Sequence, residues 1–153
     1  MINVVLYSPE IPQNTGNISR TCAVTGARLH IIRPIGFEIS DKTLKRAGLD
    51  YWDKLQVTYY DSYEDFLAKN EGAVAYYFTA HATASYAEVK YPDNVYLVFG
   101  RESVGLPREL VEKNAERAVR IPMRGEVRCL NLSNAVAVAV YEALRQGGFE
   151  GMK

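Results

Sequence analysis

Two apolar runs, Ile2–Tyr7 (INVVLY, broken only by Asn3) and Val95–Phe99 (VYLVF), restrict what this chain can fold into. Neither alternates polar with apolar residues, so neither suits a strand with one wet face. Both fit strands buried on two sides within a parallel sheet. Gly100 ends the second run, and the following Arg101-Glu102-Ser103-Val104-Gly105-Leu106-Pro107 has loop composition. Its glycines allow positive φ or the close approach of a ligand. A second unit repeats the plan: 118–121 reads as a strand, Pro122 as its stop and 123–129 as a polar loop.

After that loop, Ala135-Val136-Ala137-Val138-Ala139-Val140 alternates like a strand. Length and flanks favour a helix over 131–146, with Ser133 and Asn134 as N-cap candidates and Gly147-Gly148 as the stop. A helix apolar on nearly every side must be covered on nearly every side. The expectation is contact with both the sheet and a partner subunit.

The remaining chain alternates strands and helices. Ser8 to Pro12 reads as a loop because of its two prolines. A helix over 14–25 stops at Gly26, and a strand over 29–32 completes a βαβ crossover. A short helix is predicted over 41–48, its Lys42, Lys45 and Arg46 sharing one face that is either solvated or in contact with RNA. Strands over 56–59 and 73–79 flank the helix Tyr63–Lys69, with Phe66 and Leu67 inward. No repeat or linker divides the 153 residues, so a single three-layer α/β domain is expected.

Composition narrows the function classes. Cys22 and Cys129 are the only cysteines, which suits a reducing compartment, and with His30 and His81 they lack zinc-site spacing. No apolar run approaches the roughly 18 residues that span a bilayer, and no secretory signal precedes the first strand. A cytoplasmic protein without metal is expected. The 18 basic and 18 acidic residues cancel, so any nucleic-acid surface must be local, with Arg124 and Arg128 joining the three basic residues above. Most of the eleven tyrosines fall in strand patterns and read as core or rim, while Tyr141 would meet whatever covers the last helix.

GRESVGLP, the Ile-Pro-Met strand end and LNLSNAVAVAVYEAL together resemble the C-terminal motifs of the SPOUT methyltransferases, and YSPEIPQNTGNISRTCAVTGARLHII resembles their N-terminal motif. The whole set is similar to the minimal TrmL (YibK-like) branch and covers essentially the full chain. The resemblance implies a homodimer with a C-terminal trefoil knot. It also implies S-adenosylmethionine (SAM) as cofactor, and 2′-O-methylation of the wobble cytidine or uridine of tRNA(Leu). Carried over by position, it assigns cofactor contact to Phe78, Gly100, Ile121, Cys129 and Leu130. Glu102 and Gly105 shape the middle loop, and Met123 and Asn131 line the site. Arg20 becomes the catalytic residue, either as general base or as a guanidinium holding a phosphate and stabilising alkoxide charge. Asn14 and Glu10 on one side, and Asn131 and Ser133 on the other, are candidates to orient Arg20 or the ribose. One position departs from the family: Cys129 stands where serine is usual.

Three other readings stay open. One is a 2′-O-methyltransferase of this fold acting on another tRNA or rRNA site. The second is a non-catalytic knotted RNA-binding protein. The third is a nucleotide-dependent small-molecule enzyme, which neutral charge permits but the missing G-x-G-x-x-G and P-loop patterns oppose.

Overall fold

The computed structural model describes residues 1–38, 42, 54–127 and 129–153. Its elements are β1 (Ile2–Tyr7), α1 (Pro12–Thr25), β2 (Arg28–Ile32), β3 (Val57–Tyr60), α2 (Tyr63–Lys69), β4 (Ala75–Phe78), β5 (Ala84–Ser85), β6 (Val95–Phe99), α3 (Arg108–Lys113), β7 (Ala118–Arg120) and α4 (Leu132–Gln146). The strands form one sheet in the order β3-β2-β1-β6-β4-β7-β5. Every pairing is parallel, with Leu6 opposite Ile31 on one side and Phe99 on the other. The predicted helix over 41–48 lies outside the described residues, apart from the exposed Lys42.

Alternate residues of the central strands feed two cores, as the apolar runs require. Val4, Leu6, Leu97 and Phe99 pack with Ile18 and Cys22 of α1 and Val136, Ala139 and Val140 of α4. Val5 and Val98 face the other way, onto Phe66 of α2 and partly buried Leu110 and Val111 of α3. Each fully buried large aliphatic side chain contributes about 1.5–3 kcal/mol. The three-layer α/β expectation holds.

Three local expectations are corrected. Pro12 is the first turn of α1, not loop, because a proline there forfeits an N–H that has no helical partner anyway. Gly26 closes that helix at φ 74°, as expected. In α2, Phe66 is buried but Leu67 is 47% exposed, since adjacent helical residues point about 100° apart. In α4 the cap is Asn131, whose Oδ1 accepts from the backbone N–H groups of Ser133 (2.9 Å) and Asn134 (3.4 Å). Ser133 and Asn134 are donors in the first turn. Of the apolar α4 surface, Val136, Ala139, Val140 and Ala143 are buried along one stripe, while Val138 and Tyr141 face outward.

A polar network occupies the sheet between β1, β2 and β3. His30 Nδ1 meets the Tyr60 hydroxyl at 2.8 Å, and its Nε2 meets Asn3 Oδ1 at 3.1 Å. Asn3 Nδ2 donates to Asn94 Oδ1 and the Val95 carbonyl, which fixes Nε2 as the protonated nitrogen. Burial, helped by the Arg28 charge, lowers the His30 pKa to about 4. The unfolded chain therefore takes up the proton first. This contribution to stability is complete above pH 6.5 and is lost as pH falls toward about 4. Urea denaturation should show a loss of about 2 kcal/mol between about pH 7 and pH 5, flattened in His30→Leu. An unchanged slope in that variant would remove His30 from this role.

Candidate active site

Four strand exits converge at one end of the sheet, where ligands of open α/β sheets bind. Phe78 ends β4 and Phe99 ends β6, and their rings stack with centroids 4.7 Å apart and planes at 22°. Together they back a cleft of about 520 Å³. The loop after β6 supplies Gly100, Glu102 and Gly105 to its wall, and the segment after β7 supplies Ile121, Met123, Cys129, Leu130 and Asn131. Asn14 of α1 closes the rim. Of the candidate site residues, Glu10, Ser133 and Arg20 do not line this cleft, and Arg20 lies on the exposed side of α1.

The middle loop is shaped by its own backbone. Arg101 and Gly105 exchange hydrogen bonds, Gly105 N–H to Arg101 O at 2.9 Å and Arg101 N–H to Gly105 O at 3.3 Å. Gly105 makes the turn at φ 71°. A Cβ on Gly100 would stand 2.1 Å from the Gly105 carbonyl carbon and 2.2 Å from the Leu106 nitrogen. The close approach expected at Gly100 is thus made by the chain itself. Glycine there lets the loop fold back over the strand end and form the cleft wall.

A reciprocal clasp fastens this loop to α1. The Glu102 carboxylate accepts from the backbone N–H groups of Glu10 (2.8 Å) and Ile11 (3.1 Å) and from Asn14 Nδ2 (3.4 Å). It replaces the missing side-chain cap at Ile11 and complements the positive end of the helix. In return, Glu10 Oε1 accepts from the Ser103 hydroxyl (2.7 Å) and backbone N–H. Those bonds, the hydroxyl first, hold the Glu10 carboxyl below its usual pKa. Asn131 Nδ2 donates to Asn14 Oδ1 at 3.0 Å, while its own oxygen caps α4. Glu102, Asn14 and Asn131 therefore lock α1, the middle loop and α4 into one unit.

Cys129 is exposed on the cleft wall, whereas Cys22 lies on the buried face of α1, where desolvation pushes its thiol pKa up to about 12. Arg124 is exposed; Lys45, Arg46 and Arg128 lie outside the described residues. The sequence reading missed Thr79 and His81 after β4, which also line the cleft. The strand-exit rule that selected Gly100 would have found them. Among the described residues, no cluster of three metal-binding side chains occurs, and no helix is long and apolar enough to cross a membrane.

The cleft fits a nucleoside-bearing cofactor. Its volume lies within the roughly 300–1,000 Å³ of small-molecule sites. Apolar walls from Phe78, Leu106, Ile121 and Leu130 suit a base. Within the loop after β7, Val127 N–H donates to the Arg124 carbonyl at 3.4 Å.

Comparison with known proteins agrees with this geometry. A sequence model of the SpoU rRNA Methylase family matches residues 1–141. The tRNA (cytidine(34)-2'-O)-methyltransferase of Escherichia coli K12 is 50% identical over 152 residues, 99% of this chain and 97% of that one. A solved structure giving structural insights into the 2-OH methylation of C/U34 on tRNA is 48% identical, covers 98% of both chains and superposes with a TM-score of 0.92. The AdoMet-bound rRNA methyltransferase of Sinorhizobium meliloti is 28% identical with a TM-score of 0.83, over 94% of this chain and 56% of that one. The parallel sheet, the cleft at its strand ends and the match over nearly the whole length lead to one assignment: this chain belongs to the SpoU rRNA methylase family.

Proposed function

We propose that this chain is a SAM-dependent tRNA methyltransferase that modifies the ribose 2′-hydroxyl of the wobble nucleotide, position 34 in the E. coli relative's name. Its resemblance to the TrmL branch indicates tRNA(Leu). The observation that carries the reading is the single cleft uniting Phe78, Gly100, Ile121, Met123, Cys129 and Leu130 with Asn14 and Asn131. The bound cofactor supplies an activated methyl group on a sulfonium sulfur. Residues of this chain must hold it against the strand ends, exclude water, and bring one ribose hydroxyl to it. The locked Asn14–Asn131 pair offers amide groups at the rim to orient that ribose. Arg20, on the outer face of α1, holds an RNA phosphate and stabilises the ribose oxygen as its proton passes to solvent at the rim. A guanidinium keeps its proton at physiological pH, which favours this clamp over a general base.

Purified protein with labelled SAM should methylate an anticodon stem–loop, and a 2′-deoxy substitution at position 34 should abolish transfer. Equal labelling of the deoxy substrate would move the site elsewhere. Family membership also implies the C-terminal knot within a single 1–153 domain, and the proposed setting is the cytoplasm.

The proposed active form is a homodimer. Val138 and Tyr141 on α4, with Phe149 beside Tyr141 (ring centroids 6.5 Å apart), leave an outward apolar strip on the last helix. Tyr141→Glu should convert the dimer to monomer in light scattering and cost most of the activity. An active monomer in the wild type would contradict the dimer.

Cys129 replaces the usual serine without loss, because the position acts through its backbone. Cys129→Ser should change kcat/KM by less than about threefold, roughly 0.7 kcal/mol of transition-state stabilisation. Since the thiol is exposed in the cleft, alkylation should block SAM binding, and saturating SAM should protect it. A tenfold gain in Cys129→Ser would instead assign an essential hydroxyl to the family's serine.

A further inference from the structure

A second cleft, about 870 Å³, lies on the other side of the middle loop, between it, the exit of β4 and helix α3. It shares Thr79, His81, Arg101, Val104, Gly105 and Leu106 with the cofactor cleft, so the two adjoin. Leu106, Pro107 and Val111 give it an apolar floor, and Arg101 stands at the junction. The Arg101 guanidinium lies 5.9 Å from the Tyr7 ring centroid and makes no ion pair among the described residues. Arg108, the other cation of this cleft, is paired with Glu112 at 2.9 Å.

Resting on the function proposed above, we propose that this second cleft seats the nucleotide adjacent to the methylated one, with Arg101 binding the phosphate between them. A polynucleotide whose reacting ribose reaches the cofactor cleft must continue past its rim. Here the neighbouring space offers an apolar surface for a base and a cation at the junction for a phosphate. Single-stranded RNA is held by surfaces that take its bases together with cations that take its backbone, and here the surface for the base is aliphatic. Such a local pairing reconciles a formally neutral chain with an RNA substrate.

The test uses an unmodified anticodon stem–loop RNA and full-length protein. Arg101→Gln should weaken RNA binding at least tenfold and reduce the slope of log affinity against log salt by about one, the signature of one lost phosphate contact. SAM affinity, measured separately by calorimetry, should fall by a smaller factor than RNA affinity, because the salt-dependent contact is to RNA. With wild-type protein, a photoreactive base next to the target nucleotide should crosslink within 79–81 or 101–112. RNA affinity and salt slope unchanged in Arg101→Gln, or crosslinks confined to other segments, would overturn the assignment. If wild-type protein methylates the stem–loop while these outcomes fail, this inference alone falls. If the wild type neither binds nor methylates it, the proposed function falls too.

Discussion

Arg20→Ala is expected to lower methyl transfer at least about a thousandfold, roughly 4 kcal/mol, while SAM binding stays near the wild-type value. The split follows from position. Arg20 is on the exposed side of α1, and the cofactor cleft is built from other residues. Its proposed work is done on RNA, where charge develops on the ribose oxygen. Preorganised donors aimed at such charge are typically worth factors of about 10² to 10³ each, and a lost phosphate contact adds to that. Arg20→Lys should recover only part of the rate, because an ammonium cannot make the planar two-pronged contact of a guanidinium. Turnover by Arg20→Ala comparable to wild type, at saturating SAM and tRNA, would remove Arg20 from catalysis. Parallel loss of SAM binding would instead make its role structural.

Gly100→Val should abolish measurable SAM binding and lower stability by several kcal/mol. The Cβ would stand 2.1 and 2.2 Å from backbone atoms of Gly105 and Leu106, far inside contact distance, so the loop must move. Moving it breaks the Arg101–Gly105 exchange and displaces Glu102 from the N-terminus of α1. Because the clash begins at Cβ, Gly100→Ala should be nearly as damaging. That distinguishes the self-packing role from ligand approach, under which alanine would be better tolerated. A folded Gly100→Val protein with wild-type affinity by calorimetry would refute the role of this loop in forming the cleft.

Much of this was legible in the sequence because it rests on local pattern. The runs INVVLY and VYLVF declared doubly buried strands, and β1 and β6 match them residue for residue. The glycine-punctuated loops were legible as pattern, but their assignment to a cofactor came from the family resemblance. What escaped depends on pairings between distant positions. Nothing local says that Glu102 caps a helix starting 90 residues earlier, since its partners Glu10 and Ile11 are 92 and 91 positions away. The same holds for Asn131, which reaches Asn14 across 117 residues while outcompeting Ser133 and Asn134 as the α4 cap. Leu67 failed for a simpler reason: a seven-residue helix shows too few turns for its inner face to be read from apolar residues alone. Arg20 was chosen by resemblance, and a single chain places it outside the cleft; RNA or a second subunit must bring it into play.

Placing one methyl group on one ribose hydroxyl of tRNA is the work assigned to this chain. The most direct measurement is nucleoside-resolved mass spectrometry of tRNA from cells lacking the protein, set against the same cells carrying it back. The expected result is loss of a 2′-O-methyl group at the wobble nucleotide, with every other modification unchanged, and its return with the wild-type chain but not with Arg20→Ala. Wobble methylation that persists without the protein, or loss at another RNA site instead, would contradict the claim.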